Sequence, residues 1–365
     1  LVRVVIIGGG VFGCCAAYEL ARSGAQVTLV ERDAFGTHAS GRNPGNLNPI
    51  LGAAPELVPF ALESFRLHQM LVKDLSVPGR VPYALEPVKR VLVAFDAKDE
   101  DELDDVERAF AGHASFATAR LRTEALHEIE PRLSAAAREG LLIEGNYSLD
   151  SRAFHLAIAT AAQDAGAKVV RISATGVAAH DGTVSAVHMA SGDHPCDALV
   201  LATGPWVAET SAWIGVELPI APVKGEMLRL RLRDRNISHD FTNGLISLYR
   251  RGAEEVWVGV TREQAGFDES ATEVGRRTLI DGAARIMPAL RDAEVIEHLA
   301  ALRPMTRTAL PIVGRADGWN NVYIANGGGI KGMLLSTGVG AAIRDLVLNG
   351  ATALPLPCVA PRGVC

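Results

Sequence analysis

The chain has 365 residues, 48% hydrophobic and 21% charged, and its 36 Lys and Arg against 42 Asp and Glu give a net charge of −6. This composition excludes a disordered chain, and an acidic balance lacks the basic footprint of a nucleic-acid binder. Five cysteines without a C-x-x-C spacing exclude a zinc knuckle or a redox pair and fit a reducing, cytoplasmic setting, with peripheral membrane association left open.

Val2 to Ile7 is β-branched and apolar, as in a strand buried on both faces. Ala16 to Ser23 reads as a helix stopped by Gly24, and Gln26 to Val30 as a second strand. The unit has the length of a strand–helix–strand crossover, about 30 residues. The apolar stretch from Val4 to Tyr18 is cut by Gly8 to Gly10 and is shorter than the roughly 20 residues of a membrane span. No basic segment or cleavage site of a secretory signal is visible, and a start at Leu1 leaves a removed leader open. Leu57 to Leu75 is a long helical pattern, Glu86 to Phe95 a strand and Asp99 to Phe110 an acidic helix. Arg152 to Ala165 is helical and ends at Gly166, and Lys168 to Ile172 is a strand. Val184 to Met189 and Ala198 to Ala202 follow as strands, then a helix from Gly204-Pro205 to Ile214. Gly225 to Val260 alternates apolar and charged residues, the pattern of an antiparallel sheet with one wet face. Thr272 to Ile286 is a helix, Asn321 to Ala325 a strand and Met333 to Leu348 the last long helix. The tail from Pro355 has no periodicity and is expected to be loose.

This order predicts an α/β protein. A Rossmann-like nucleotide domain from 1–85, 146–218 and 304–365 carries an inserted domain, 86–145 and 219–303, on a mainly antiparallel sheet.

Gly8-Gly9-Gly10-Val11-Phe12-Gly13 lies between the first strand and its helix. In this pattern the first glycine makes the turn, the second admits a pyrophosphate and the third lets helix and strand pack closely. The helix N-terminus then offers N–H groups to the phosphates. Glu31 closes the second strand, where a carboxylate accepts hydrogen bonds from a ribose diol. The fingerprint alone does not separate NAD from FAD. Gly36 to Pro49 reads GTHASGRNPGNLNP, a polar cradle with Ser40, Arg42, Asn43, Gly45, Asn46 and Asn48 that suits an extended FAD. Thr203-Gly204-Pro205-Trp206 and Asn326 to Gly332 repeat the strand–glycine–helix theme, so three such turns converge on one sheet edge.

These segments resemble the FAD-dependent D-amino-acid oxidase superfamily, in its glycine oxidase, sarcosine oxidase and D-amino-acid dehydrogenase branch. The resemblance spans nearly the whole chain. It extends to Ser40-Gly41-Arg42-Asn43, Ala165-Gly166-Ala167, Pro222-Val223-Lys224-Gly225-Glu226, Val258-Gly259-Val260-Thr261, Leu302-Arg303-Pro304 and Leu310-Pro311-Ile312-Val313-Gly314. It implies oxidation of the C–N bond of an amino acid or N-substituted amino acid by hydride transfer to the flavin. The partners it implies are a small amino acid substrate and oxygen or another electron acceptor. Arg303 is implied to pair with the substrate carboxylate, a role suited to a guanidinium fork. Fingerprint and resemblance together assign cofactor binding to Gly8, Gly10, Val11, Phe12, Gly13, Glu31, Arg32, Ser40, Arg42, Asn43, Gly45, Asn46, Val170, Thr203, Gly204, Trp206, Gly328, Gly329, Ile330, Lys331 and Gly332. Leu302 stands where some relatives tether the flavin through a cysteine, so the FAD is expected to be noncovalent. Lys331 is either beside the flavin pyrimidine, where it would also meet substrate, or in solvent at a helix start. Tyr249 either lines the substrate pocket or packs within a strand. No metal motif is present. Two other readings stay open: a flavin-dependent 2-hydroxy acid dehydrogenase, which needs a base such as histidine near the flavin, and a flavin-bearing subunit of a larger electron-transfer complex.

Overall fold

The computed structural model describes residues 1–75, 83–232 and 236–357. The end of the tail, with Cys358 and Cys365, lies outside the described residues. The two apolar patterns at the chain ends meet in one six-stranded sheet. Its order is Ile312–Arg315, Val322–Asn326, Ala198–Leu201, Arg3–Ile7, Gln26–Glu31, Lys168–Arg171, parallel except for the first edge strand. The chain leaves the central strand Arg3–Ile7 in one direction first and fills the other side later. That reversal opens a crevice at the strand C-termini, where open α/β sheets bind ligands.

Helices Val11–Arg22, Val58–Leu75, Ser151–Asp164 and Gly332–Asn349 cover one face. Glycines set their spacing. A Cβ at Gly340 would come within 2.7 Å of the Cys15 backbone, and one at Gly338 would overlap the Ser64 hydroxyl. The opposite face is closed by a three-stranded antiparallel sheet, Ala174–His180, Thr183–Met189 and Gly192–Pro195, with Val187 and Met189 against Val5 and Ile7.

The middle of the chain builds a nine-stranded, mainly antiparallel sheet. Strands Ile220–Arg231, Asp240–Asn243, Ile246–Arg251 and Glu255–Gly259 realise the alternating pattern. Its other long members are Glu86–Ala94, Glu139–Ser148 and Glu294–Thr306. Helix Glu273–Ile286 packs Leu279, Ala283 and Ile286 on Leu228, Leu230, Val256 and Val258. Asn46–Leu47, from the polar loop, also pairs into this sheet, so the loop bridges the two halves. No helix among the described residues is long and apolar enough to cross a membrane.

Candidate active site

The strand ends of the six-stranded sheet and the inner face of the nine-stranded sheet enclose a cleft with about 1570 Å³ of empty volume, including its open mouth. On the first wall the backbone is forced. Gly8 has φ +104°, and a Cβ there would overlap the Ala202 carbonyl oxygen. A Cβ at Gly13 would overlap the Gly8 carbonyl oxygen, so strand and helix meet only through glycine. Gly10, Val11 and Phe12 line the cleft at the helix N-terminus, and Val11 N–H donates to Ser40 Oγ at 3.0 Å. The Glu31 carboxylate accepts from Gly9 N at 2.6 Å and from Asp33 N at 2.8 Å. Those two bonds fix its aim and leave lone pairs for a ligand diol.

The candidate cofactor residues divide. Gly10, Val11, Phe12, Ser40, Arg42, Asn43, Asn46, Gly204, Gly328, Gly329, Ile330, Lys331 and Gly332 line the main cleft. Gly8, Gly13, Glu31, Arg32, Gly45, Val170, Thr203 and Trp206 do not. Arg32 instead lies over the Trp206 ring at 5.0 Å, beside Glu31 at the strand ends, and Phe267 stacks on Trp206 at 6.2 Å. Val170 pairs with Val30 in the sheet, and Thr203 Oγ1 meets Thr210 Oγ1 at 3.2 Å. Gly45 packs against the Leu149 carbonyl with φ +70°. The Asn43 side chain is committed to its own loop, donating to Ala39 O and Ser40 O and accepting from Gly45 N.

Asn48 is the clearest residue absent from the candidate cofactor set. Its Oδ1 accepts from Ile50 N at 3.2 Å and Leu51 N at 2.9 Å, which fixes the amide orientation. Its Nδ2 is buried on the cleft wall without a partner. A buried unpaired donor is costly, and a hydrogen-bond acceptor on a bound ligand would relieve that cost. The signal was present in the run of Asn43, Asn46 and Asn48, but nothing in that spacing separates the loop-holding amide from the ligand-facing one.

Lys331 is not in solvent. Its Nζ donates to Asn48 O and Leu51 O, both at 2.6 Å, and burial, helped by the Arg90 charge, pushes its pKa down to about 7.

The second wall is cationic. Arg303, from strand Glu294–Thr306, spreads its guanidinium over Gly225 so closely that a Cβ there would overlap it. Its Nη1 donates to Thr261 O at 3.3 Å, and among the described residues no carboxylate pairs with it. Burial, then the Arg262 charge, pushes its pKa down to about 10. Tyr249 lines the cleft between the Arg90 guanidinium at 5.3 Å and that of Arg251 at 5.6 Å, so it packs in its strand and faces the pocket at once. Arg90 is also absent from the sequence-based set. It forms a buried ion pair with Asp240 at 3.0 Å, and its signal was a cation directly before the apolar run Val91 to Ala94. No aspartate, glutamate or histidine lines the cleft among the described residues.

A family model described as FAD dependent oxidoreductase (DAO) matches residues 3–346. The chain belongs to this family. It is 29% identical to the glycine oxidase of Geobacillus kaustophilus over 364 residues, covering 97% of this chain and 94% of that protein. It is 27% identical to the glycine oxidase of Pseudomonas aeruginosa, covering 99% of each. The crystal structure of glycine oxidase from Geobacillus kaustophilus superposes with a TM-score of 0.91 at 26% identity, over 97% of each chain. The chain is thus an FAD-dependent oxidoreductase with a Rossmann-like cofactor domain. The forced glycine turns, the fixed Glu31 carboxylate and the unpaired Asn48 donor are chemically suited to that cofactor.

Proposed function

We propose that this chain oxidises the C–N bond of an amino acid or an N-substituted amino acid. Residues 1–85, 146–218 and 304–365 would hold FAD without a covalent bond, since Leu302 occupies the position before Arg303. Residues 86–145 and 219–303 would hold the substrate. The observation that carries the reading is Arg303, a half-buried guanidinium with no carboxylate partner among the described residues. Burying an unpaired cation is costly, and a substrate carboxylate removes that cost by forming a bidentate pair. FAD, when bound, accepts the two electrons removed from the carbon next to nitrogen and passes them to oxygen or another acceptor. Arg303 anchors the carboxylate and so orients that carbon. Ile330 and Tyr249 shape the space around it, and the imine released hydrolyses in water.

A neutral amine carries its own lone pair and needs no protein base, whereas a 2-hydroxy acid does. The absence of histidine, aspartate and glutamate among the described cleft residues favours the amine over the hydroxy acid. Lys331 Nζ is the remaining basic candidate, and its hydrogens are directed at two carbonyls. The reading is tested by anaerobic bleaching of the flavin. Glycine, sarcosine and D-amino acids are expected to bleach it while 2-hydroxy acids leave it oxidised. Bleaching by hydroxy acids alone overturns the proposal.

A further inference from the structure

Five cationic side chains face the cleft: Arg42, Arg90, Arg262, Arg303 and Lys331. Arg90 is neutralised by Asp240. Lys331 is bound to two carbonyls, and Arg42 donates to Ala300 O at 3.1 Å from the polar loop. Arg303 has the role proposed above. Arg262 is left over. It is exposed at the mouth and lines the cleft, and among the described residues no carboxylate pairs with it.

Its backbone is held on both sides. Thr261 donates its N–H to Glu226 O, accepts Glu226 N–H on its hydroxyl at 2.9 Å, and gives its carbonyl to Arg303. Glu263 exchanges two backbone hydrogen bonds of 2.9 Å with Lys224, and its carboxylate lies 3.4 Å from Lys224 Nζ. The acidic neighbour is therefore turned away to a buried lysine, while Arg262 keeps its place one residue from the carbonyl that holds Arg303. Two like charges held near one another raise the free energy of the empty pocket. A ligand with two anionic groups offsets both charges.

We propose that Arg262 is a specificity-determining residue that binds a second carboxylate, so that the preferred substrate is an amine bearing two carboxylates. One would pair with Arg303 beside the reacting carbon and the other with Arg262 at the mouth. The second carboxylate sits either on the side chain or on the nitrogen substituent, and the two placements are separable by substrate. Glycine leaves this subsite empty.

The inference rests on the amine-oxidation reading, and the experiment keeps the two apart. FAD-loaded enzyme is reduced anaerobically with D-aspartate, D-glutamate and N-carboxymethylglycine, each beside its monoamide. For the skeleton the cleft accepts, the diacid is expected to reduce the flavin about 5- to 50-fold more efficiently than the monoamide, the range between a screened and a charge-assisted pair. In Arg262→Gln the ratio should fall toward one, and Arg262→Lys should retain part of it. Added salt should lower the ratio in the native enzyme but not in Arg262→Gln. Thermal stability should change little, because the side chain is exposed. A native ratio near one, or a ratio that survives Arg262→Gln, overturns the inference, and so does loss of FAD from Arg262→Gln with the ratio intact. Flavin left oxidised by every amine sinks the proposed function and this inference together. Reduction by monoacids without a diacid advantage sinks this inference alone.

Discussion

The two walls of the cleft are built by opposite means. On the cofactor side the backbone does the shaping: Gly8 and Gly13 sit where any side chain would strike a carbonyl, and Glu31 is held by two main-chain N–H groups. On the side proposed to hold substrate the shape comes from long side chains gathered from distant strands, with Arg303 laid over Gly225 and Tyr249 between Arg90 and Arg251. The first wall is local in sequence and sterically compulsory. The second is assembled by the pairing of strands far apart in sequence. If that division is right, variants on one wall should leave the other wall's function in place.

The largest effect is expected at Arg303. Arg303→Ala should lower kcat/KM by about 30- to 5000-fold, about 2–5 kcal/mol for a bidentate pair lost in a desolvated site. Arg303→Lys should fall between it and the native enzyme. FAD content, read by absorbance, should stay near one per chain in both. Loss of flavin from Arg303→Ala would break the division between the walls.

Glu31→Ala should act in the other direction. FAD affinity, measured by titration of the apoprotein, should weaken by about 1–3 kcal/mol, the scale of a charge-assisted hydrogen bond. The rate of flavin reduction at saturating FAD should be preserved. A large fall in that rate would move Glu31 to the chemical wall.

Lys331 lies at the seam, and its effect is read in the stability of the apoprotein rather than in turnover. Its pKa in the folded apoprotein is about 7, below the ordinary lysine value of 10.5. Between those values the unfolded chain binds the proton and the folded chain does not. This group therefore makes the apoprotein more stable as pH rises from about 7 toward 10, and destabilises it below. Denaturant melts of Lys331→Met apoprotein should lose that increment relative to native apoprotein. Parallel pH profiles in the two proteins would mean that the amine stays charged.

The same division explains what was legible in the sequence. The glycine fingerprint, Glu31 and the alternating stretch from Gly225 to Val260 are local patterns, and each was readable. The helix expected at Ala16 begins at Val11, because Gly13, which reads as loop, is admitted into the first turn by its close approach to the Gly8 carbonyl. Strands Glu139–Ser148 and Glu294–Thr306 were missed for opposite reasons. Gly140 and Gly145 weaken a strand pattern, yet a Cβ at Gly140 would lie 2.6 Å from Leu126. The second strand contains Glu, His, Leu and Ala in a helix-tolerant run, and its state is decided by twelve partners along Ile220–Arg231. Arg90 and Arg262 gain meaning only once strands far apart in sequence enclose the same cavity.

Helix Gly332–Asn349 begins at the cleft, directly after Lys331, and is pressed against Cys15 through Gly340. It is therefore a rigid lever with its middle seated in the core and its first turn at the active site. At 1.5 Å per residue, Gly340 lies roughly 12 Å along the axis from the first turn. A methyl group added at residue 340 would work as a wedge, tilting the rod and dragging Lys331 from its two carbonyls. Mutational screens scored on flavin retention should then find sensitive positions deep in this helix bundle, touching no ligand, where the lever is seated.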